Sequence, residues 1–214
     1  MLGGGALLLV GTWAEDPPLS PLLRAARGFE PVELIGQKAG VLWVSDFDEP
    51  PAEMPVRYRE VIAAVLCRRG LALGALPFEM VLDATLPTEL GHLHYGLPKR
   101  FDAEMRVSID TESPFVHAEG VRIEARVCSA ATQVAALPLR AAFAIGARLF
   151  TATVPAIGAA DPPARRAFVA LRPSGLGRAV VVSHAEVGGV ALRPLFAVRY
   201  AHVRTRLGAP RLLT

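Results

Sequence analysis

Lys99 sits in the segment Gly91-His92-Leu93-His94-Tyr95-Gly96-Leu97-Pro98-Lys99-Arg100, and its side chain is the clearest candidate for covalent chemistry in the sequence. The chain carries 23 Lys plus Arg residues, and only Lys38 and Lys99 are lysine. Arginine can supply charge as well as lysine does, but only lysine offers an amine that attacks carbonyl carbon. Such an attack needs the neutral amine, and an ordinary lysine with a pKa of about 10.4 is protonated at neutral pH. Burial among apolar groups and a nearby permanent cation both favour the neutral form. Leu97, Pro98 and Phe101 offer the first effect and Arg100 the second. In an extended strand, successive side chains leave on opposite faces, so Arg100 would aim away from Lys99. Burial is therefore expected to matter more than Arg100.

Other reactive side chains form weaker patterns. Glu60, in Tyr58-Arg59-Glu60-Val61, could hold or relay a proton, or it could pair with Arg57 or Arg59. His92 and His94 are two apart and would share one face of a strand, as two metal ligands can. Only Glu89 lies near enough in sequence to join them, so no metal centre is expected. His117, His184 and His202 are dispersed. Ser174-Gly175 and Ser183-His184 lack the nucleophile-elbow pattern, and Gly3-Gly4-Gly5 lacks a phosphate-loop signature. Cys67 and Cys128 have no metal-ligand spacing and read as small apolar residues in a reduced, cytoplasmic setting. No cofactor is expected.

The elements that must position these residues read as short strands. At 214 residues and 52% hydrophobic, the chain suits one well-buried domain over residues 1–214. No apolar run reaches the roughly 18 residues of a membrane span. The apolar start, Ala6 to Trp13, has no basic residue before it and reads as a first strand rather than a secretory signal. The net charge of +3 is spread over scattered arginines, which does not suit a nucleic-acid surface. Further strands are predicted at Val41 to Ser45, Glu79 to Leu82, Met105 to Ile109, Phe168 to Leu171, Ala179 to Val187 and Leu195 to Arg206. Val121 to Val127 alternates cleanly between apolar and charged residues, as a half-buried antiparallel strand does. A helix is predicted from Pro17 to Gly28, with proline in its first turn and glycine at its end. Asp46 to Pro55 and Ala159 to Arg165 read as loops, Arg68-Arg69-Gly70 as a turn, and the Ala-rich stretch Ser129 to Phe150 as ambiguous. In the last strand, Phe196, Val198, Tyr200, His202, Arg204 and Arg206 are expected on one face, and Ala197, Arg199, Ala201, Val203 and Thr205 on the other.

The sequence Gly96-Leu97-Pro98-Lys99-Arg100, with Gly91 five residues before Gly96, resembles the acetoacetate decarboxylase family. Leu82-Asp83 upstream of Gly91, the strand at Tyr58-Arg59-Glu60-Val61, and Leu207-Gly208-Ala209-Pro210-Arg211 near the end match the family's pattern in the same order. The resemblance implies a cone-shaped antiparallel β-barrel with one or two short helices, a largely closed interior pocket and a homo-oligomeric assembly. It also implies that Lys99 forms a Schiff base with a small keto acid, whose electrons the iminium accepts as carbon dioxide leaves. Glu60 and Arg100 are the other site residues it carries over.

Three positions depart from the family. His92-Leu93 stand where the family has Arg-Glu. Gly3-Gly4-Gly5 stand where it has an arginine for the substrate carboxylate, and Cys67 to Pro77 contains no acidic residue. These changes separate amine chemistry from decarboxylation, because relatives use the same lysine for aldol-type or dehydration reactions. Two readings follow. The first is a Schiff-base lyase acting on a small keto acid or related carbonyl compound, with neither nucleic acid nor membrane as partner. The second is a catalytically reduced barrel that binds a small apolar ligand without turnover.

Overall fold

The computed structural model describes residues 1–19, 28–70, 72–128, 148–151, 165–173, 177–209 and 211–212. Strands dominate them: β1 (Leu2–Trp13), β2 (Glu30–Pro31), β3 (Glu33–Leu34), β4 (Gln37–Glu49), β5 (Tyr58–Arg69) and β6 (Ala72–Leu82) come first. A helix α1 (Thr85–Leu90) runs directly into a π-helical turn at Gly91–Tyr95. Strands β7 (Lys99–Phe101), β8 (Arg106–Ser108), β9 (Phe115–Ala118), β10 (Val121–Val127), β11 (Arg148–Thr151), β12 (Arg165–Pro173), β13 (Arg178–Val187), β14 (Val190–Leu207) and β15 (Arg211–Leu212) follow. Residues 20–27 of the helix predicted from Pro17 to Gly28, most of Ser129 to Phe150, nearly all of Ala159 to Arg165, and Ser174-Gly175 lie outside the described residues, while Pro17, Pro18 and Leu19 are described and not helical.

The strands join one sheet in the order β15-β12-β11-β6-β5-β4-β1-β14-β13-β10-β9-β8. A further pairing of β12 with β14 brings the path back on itself, so the sheet curls strongly into a barrel-like form. The expected antiparallel pattern holds through the long strands, while β7 and β11 each add to β6 in parallel.

Alternation explains why the strands are so apolar. On β1, Leu7 and Leu9 enter the larger core, while Ala6 and Leu8 enter a second cluster. On β4, Leu42 and Val44 face the larger core and Trp43 the other side. Both faces of this central sheet are covered, so Leu7-Leu8-Leu9 and Val41-Leu42-Trp43-Val44 read as unbroken apolar runs. Each fully buried Leu or Val contributes about 1.5–3 kcal/mol relative to exposure.

Several boundaries differ from the sequence pattern for local reasons. β4 continues through Glu49 into the expected loop because Asp46 and Phe47 pair with Arg59 and Tyr58 of β5. β6 begins at Ala72, well before Glu79, and passes Pro77 at a register shift opposite Ala63 and Ala64. A bulge is where a strand tolerates a residue without an N–H. β14 does not keep its predicted two faces. Ala197, Val198, Arg199 and Tyr200 pair without interruption with Leu9 to Ala6 and are buried in succession because both faces are covered. Beyond the register shift between Gly4 and Ala6, however, Val203 joins the cluster of Val198 and Tyr200. The β13–β14 connection is a tight turn of Gly188 and Gly189, both at positive φ, as such hairpins require.

Candidate active site

β5 and β6 set the inner face of the curled sheet. In the β4–β5 and β5–β6 registers, Glu60 lies opposite Ser45 and Leu82, and Ile62 opposite Trp43 and Met80. Phe47, Tyr58, Met80, Leu82 and Leu97 form a buried apolar cluster on this face, with Ile62 and Tyr95 packed against it. β7 pairs with β6 so that Lys99 is opposite Met80 and Arg100 opposite Val81. Met80 belongs to the inner cluster and Val81 to the larger core on the other side. The two adjacent cations are thereby sorted onto opposite faces, as strand alternation requires.

Lys99 Nζ lies 2.7 Å from Glu60 Oε1, and both side chains are 8% exposed. Removing two charges from water costs several kcal/mol per ion, which only a close partner offsets. The contact is an ion pair rather than a well-angled hydrogen bond, and Oε1 has no hydrogen-bond partner among the described residues. The site thus holds a buried amine, a carboxylate touching it, and acceptor capacity left over on that carboxylate. Arg57 and Arg59 do not take Glu60. The Arg59 guanidinium lies 3.7 Å from Asp46 and 3.5 Å from Asp83 instead.

The chain before Lys99 is held by backbone bonds. Asp83 Oδ1 accepts the Arg59 N–H at 2.6 Å, which ties the end of β6 to β5. The π-helical turn ends at Gly96, whose φ of 62° and ψ of 30° are left-handed and suit glycine. There the Gly96 N–H donates to His92 O and the Leu97 N–H to Gly91 O, both at 3.1 Å. The Met80 N–H then donates to Pro98 O at 3.1 Å, docking the approach to Lys99 onto β6. π-helical turns are rare and cluster at functional sites.

Arg100 points to the far side, where its Nε donates to the Glu79 carboxylate and its Nη2 to the Glu119 carbonyl. Leu97 contributes to the apolar wall beside Lys99, but Phe101 is 46% exposed and does not. His92 and His94 are exposed on the π-helical turn, not on a strand, and residues two apart on a helical turn do not share a face. No group of three or more His, Cys, Asp and Glu side chains among the described residues could hold a metal ion.

Three neighbours were not legible as site residues. Tyr58 is buried beside Glu60. Burial first, and then the Glu60 carboxylate, push its phenol well above the ordinary tyrosine value, so it stays protonated. Ser45 is fully buried opposite Glu60 and accepts a hydrogen bond from Trp43 Nε1. Gly91 lies against the aliphatic stem of Lys99. The alternation Trp43-x-Ser45 signals that Ser45 faces inward, but its partner strand cannot be read from spacing.

No protein-family model matches the sequence, and no curated protein sequence does. Solved structures match over the full chain. Acetoacetate decarboxylase from Legionella pneumophila aligns with a TM-score of 0.72 at 13% identity, covering 100% of this chain and 86% of that one. The enduracididine biosynthesis enzyme MppR aligns with a TM-score of 0.64 at 17% identity, covering 100% and 86%. An acetoacetate decarboxylase-like enzyme from Sphingomonas wittichii aligns with a TM-score of 0.60 at 16% identity, covering 99% and 92%. The chain has the fold of acetoacetate decarboxylase and the acetoacetate decarboxylase-like enzymes.

Proposed function

We propose that the protein is a Schiff-base enzyme that uses Lys99 as its nucleophile on a small keto acid or related carbonyl compound. The observation that carries this reading is the buried Lys99–Glu60 pair, with Nζ and Oε1 2.7 Å apart on an apolar inner face. Nζ attacks the substrate carbonyl carbon, and the carbonyl electrons pass to oxygen to give a carbinolamine. Glu60 first takes a proton from the Lys99 ammonium, which frees Nζ for this attack. A second proton passes from Nζ to the oxygen as the carbinolamine forms, and Glu60 then returns the first to that hydroxyl, which departs as water. The product is an iminium on Lys99, whose positive nitrogen accepts electrons from a neighbouring carbon when a bond there breaks. Arg100 contributes through its Glu79 and Glu119 contacts, holding β7 in place rather than touching substrate.

Solved structures of MppR hold pyruvate and the condensation product of pyruvate with imidazole 4-carboxaldehyde. This favours pyruvate-like carbonyl compounds as probes beside acetoacetate and acetopyruvate. The test is reduction with borohydride in the presence of each compound, read by intact mass and peptide mapping. A reduced adduct on Lys99, absent from Lys99→Arg, is expected. Lys38 is the other lysine of the chain and serves as an internal control. No adduct with any of the three compounds overturns the proposal. Carbon dioxide release from acetoacetate separates decarboxylation from aldol-type or dehydration chemistry.

A further inference from the structure

Gly91 has a backbone conformation that any residue adopts, with φ of −64° and ψ of −41° at the junction of α1 and the π-helical turn. Alanine is the better helix former at such angles, so conformational freedom does not account for glycine here. Space does. A Cβ built on Gly91 would lie 2.3 Å from Lys99 Cδ, 2.6 Å from Cε and 3.3 Å from Cγ, and these are its three nearest atoms. The Lys99 stem therefore runs directly across the bare Cα of Gly91 on its way to Glu60. Gly91 is buried, and its carbonyl accepts the Leu97 N–H, so this backbone is fixed at both ends of the loop that carries Lys99.

We infer that Gly91 is a positioning residue for Lys99, keeping open the groove along which the amine reaches Glu60. The inference rests on the proposed role of Lys99 as nucleophile. Its consequence is unusual for a buried glycine. The atoms in the way of a Cβ belong to a flexible side chain and not to backbone, so Gly91→Ala can be accommodated by moving Lys99 alone. The fold survives while Nζ leaves Glu60.

The experiment compares wild type, Gly91→Ala, Lys99→Ala and the double variant by thermal unfolding, and the first two by borohydride trapping with pyruvate. Gly91→Ala is expected to slow adduct formation on Lys99 by about tenfold or more, because small misplacements of a reacting atom are that costly. Its Tm should fall, because Nζ leaves a buried partner, but by no more than in Lys99→Ala, which loses the same contact outright. In the Lys99→Ala background, where no stem remains, Gly91→Ala should leave Tm unchanged or raise it. Trapping at the wild-type rate in Gly91→Ala would overturn the inference, as would equal loss of Tm in both backgrounds.

If wild type forms no adduct, the nucleophile reading fails, and the placement of Lys99 is still read by its 15N side-chain resonance. Movement of that resonance in Gly91→Ala, with the Lys38 resonance unmoved, supports the groove. An unmoved Lys99 resonance refutes it. Should Gly91→Ala fail to fold, the double variant decides, because it must be as stable as Lys99→Ala if the stem is the obstacle and less stable if it is not.

Discussion

Lys99 and Arg100 are consecutive, both are cations bridged to a glutamate, and the two pairs could hardly differ more in setting. The Lys99–Glu60 pair sits on the inner face with both side chains 8% exposed. The Arg100–Glu79 pair lies across the sheet with side chains 32% and 27% exposed. Water screens the second pair and lets its partners relax, so pairs of that kind contribute about 0–1 kcal/mol. The first pair is shielded from bulk solvent, so each partner depends on the other for compensation. A single step along a strand decides whether a cation braces the sheet from its partly exposed side or is buried against a carboxylate.

This comparison breaks most visibly at Lys99. Lys99→Arg keeps a cation beside Glu60 but removes the amine, and adduct formation is expected to vanish, as peptide mapping would read. Separating the partners tests the burial directly. Lys99→Met or Glu60→Leu alone should each cost about 3–5 kcal/mol in urea unfolding, since each leaves an uncompensated buried charge. The double variant should recover most of that loss. Simple additivity of the two losses would show that the pair is not coupled.

Cys67, near the far end of the same strand as Glu60, sharpens the contrast between polar and apolar burial. It is free and lies in the larger core, where burial pushes its thiol up to about 12. The folded state therefore retains a proton that the unfolded chain loses from about pH 9 upward. Stability contributed by the thiol is present below that pH and falls at about 1.4 kcal/mol per pH unit as the pH rises toward 12. Urea unfolding between pH 8.5 and 10.5 should show a shallower decline in Cys67→Ala than in wild type. An unchanged slope would mean that the thiol does not govern alkaline sensitivity.

The smallest effect is expected at Arg100. Arg100→Ala should lower stability by about 1 kcal/mol and change the trapping rate on Lys99 by less than about threefold. A loss approaching that of Lys99→Arg would place Arg100 in the reaction itself and erase the distinction between the two pairs.

Local pattern went a long way in this protein. Val121 to Val127 alternates so cleanly that its strand boundaries are those of β10. The scarcity of lysine singled out Lys99, and alternation alone anticipated that Arg100 would turn away from it. Elsewhere local pattern misled. Gly91-His92-Leu93-His94-Tyr95-Gly96 reads as extended chain around two spaced histidines, yet backbone bonds closing across Gly91, His92, Gly96 and Leu97 wind it into a π-helical turn.

What the sequence by itself determined is therefore the strands, their two-sided burial and the amine. These follow from residue type and from a period of two along the chain. The resemblance pointed to Glu60, but tertiary structure decided that it meets Lys99 rather than Arg57 or Arg59, because β6 stands between β5 and β7 and the sheet registers bring Glu60 and Lys99 to one face. It also decided what Gly91 is for. Its φ and ψ are ordinary, and the reason for a missing side chain appears only when another residue's stem occupies the space.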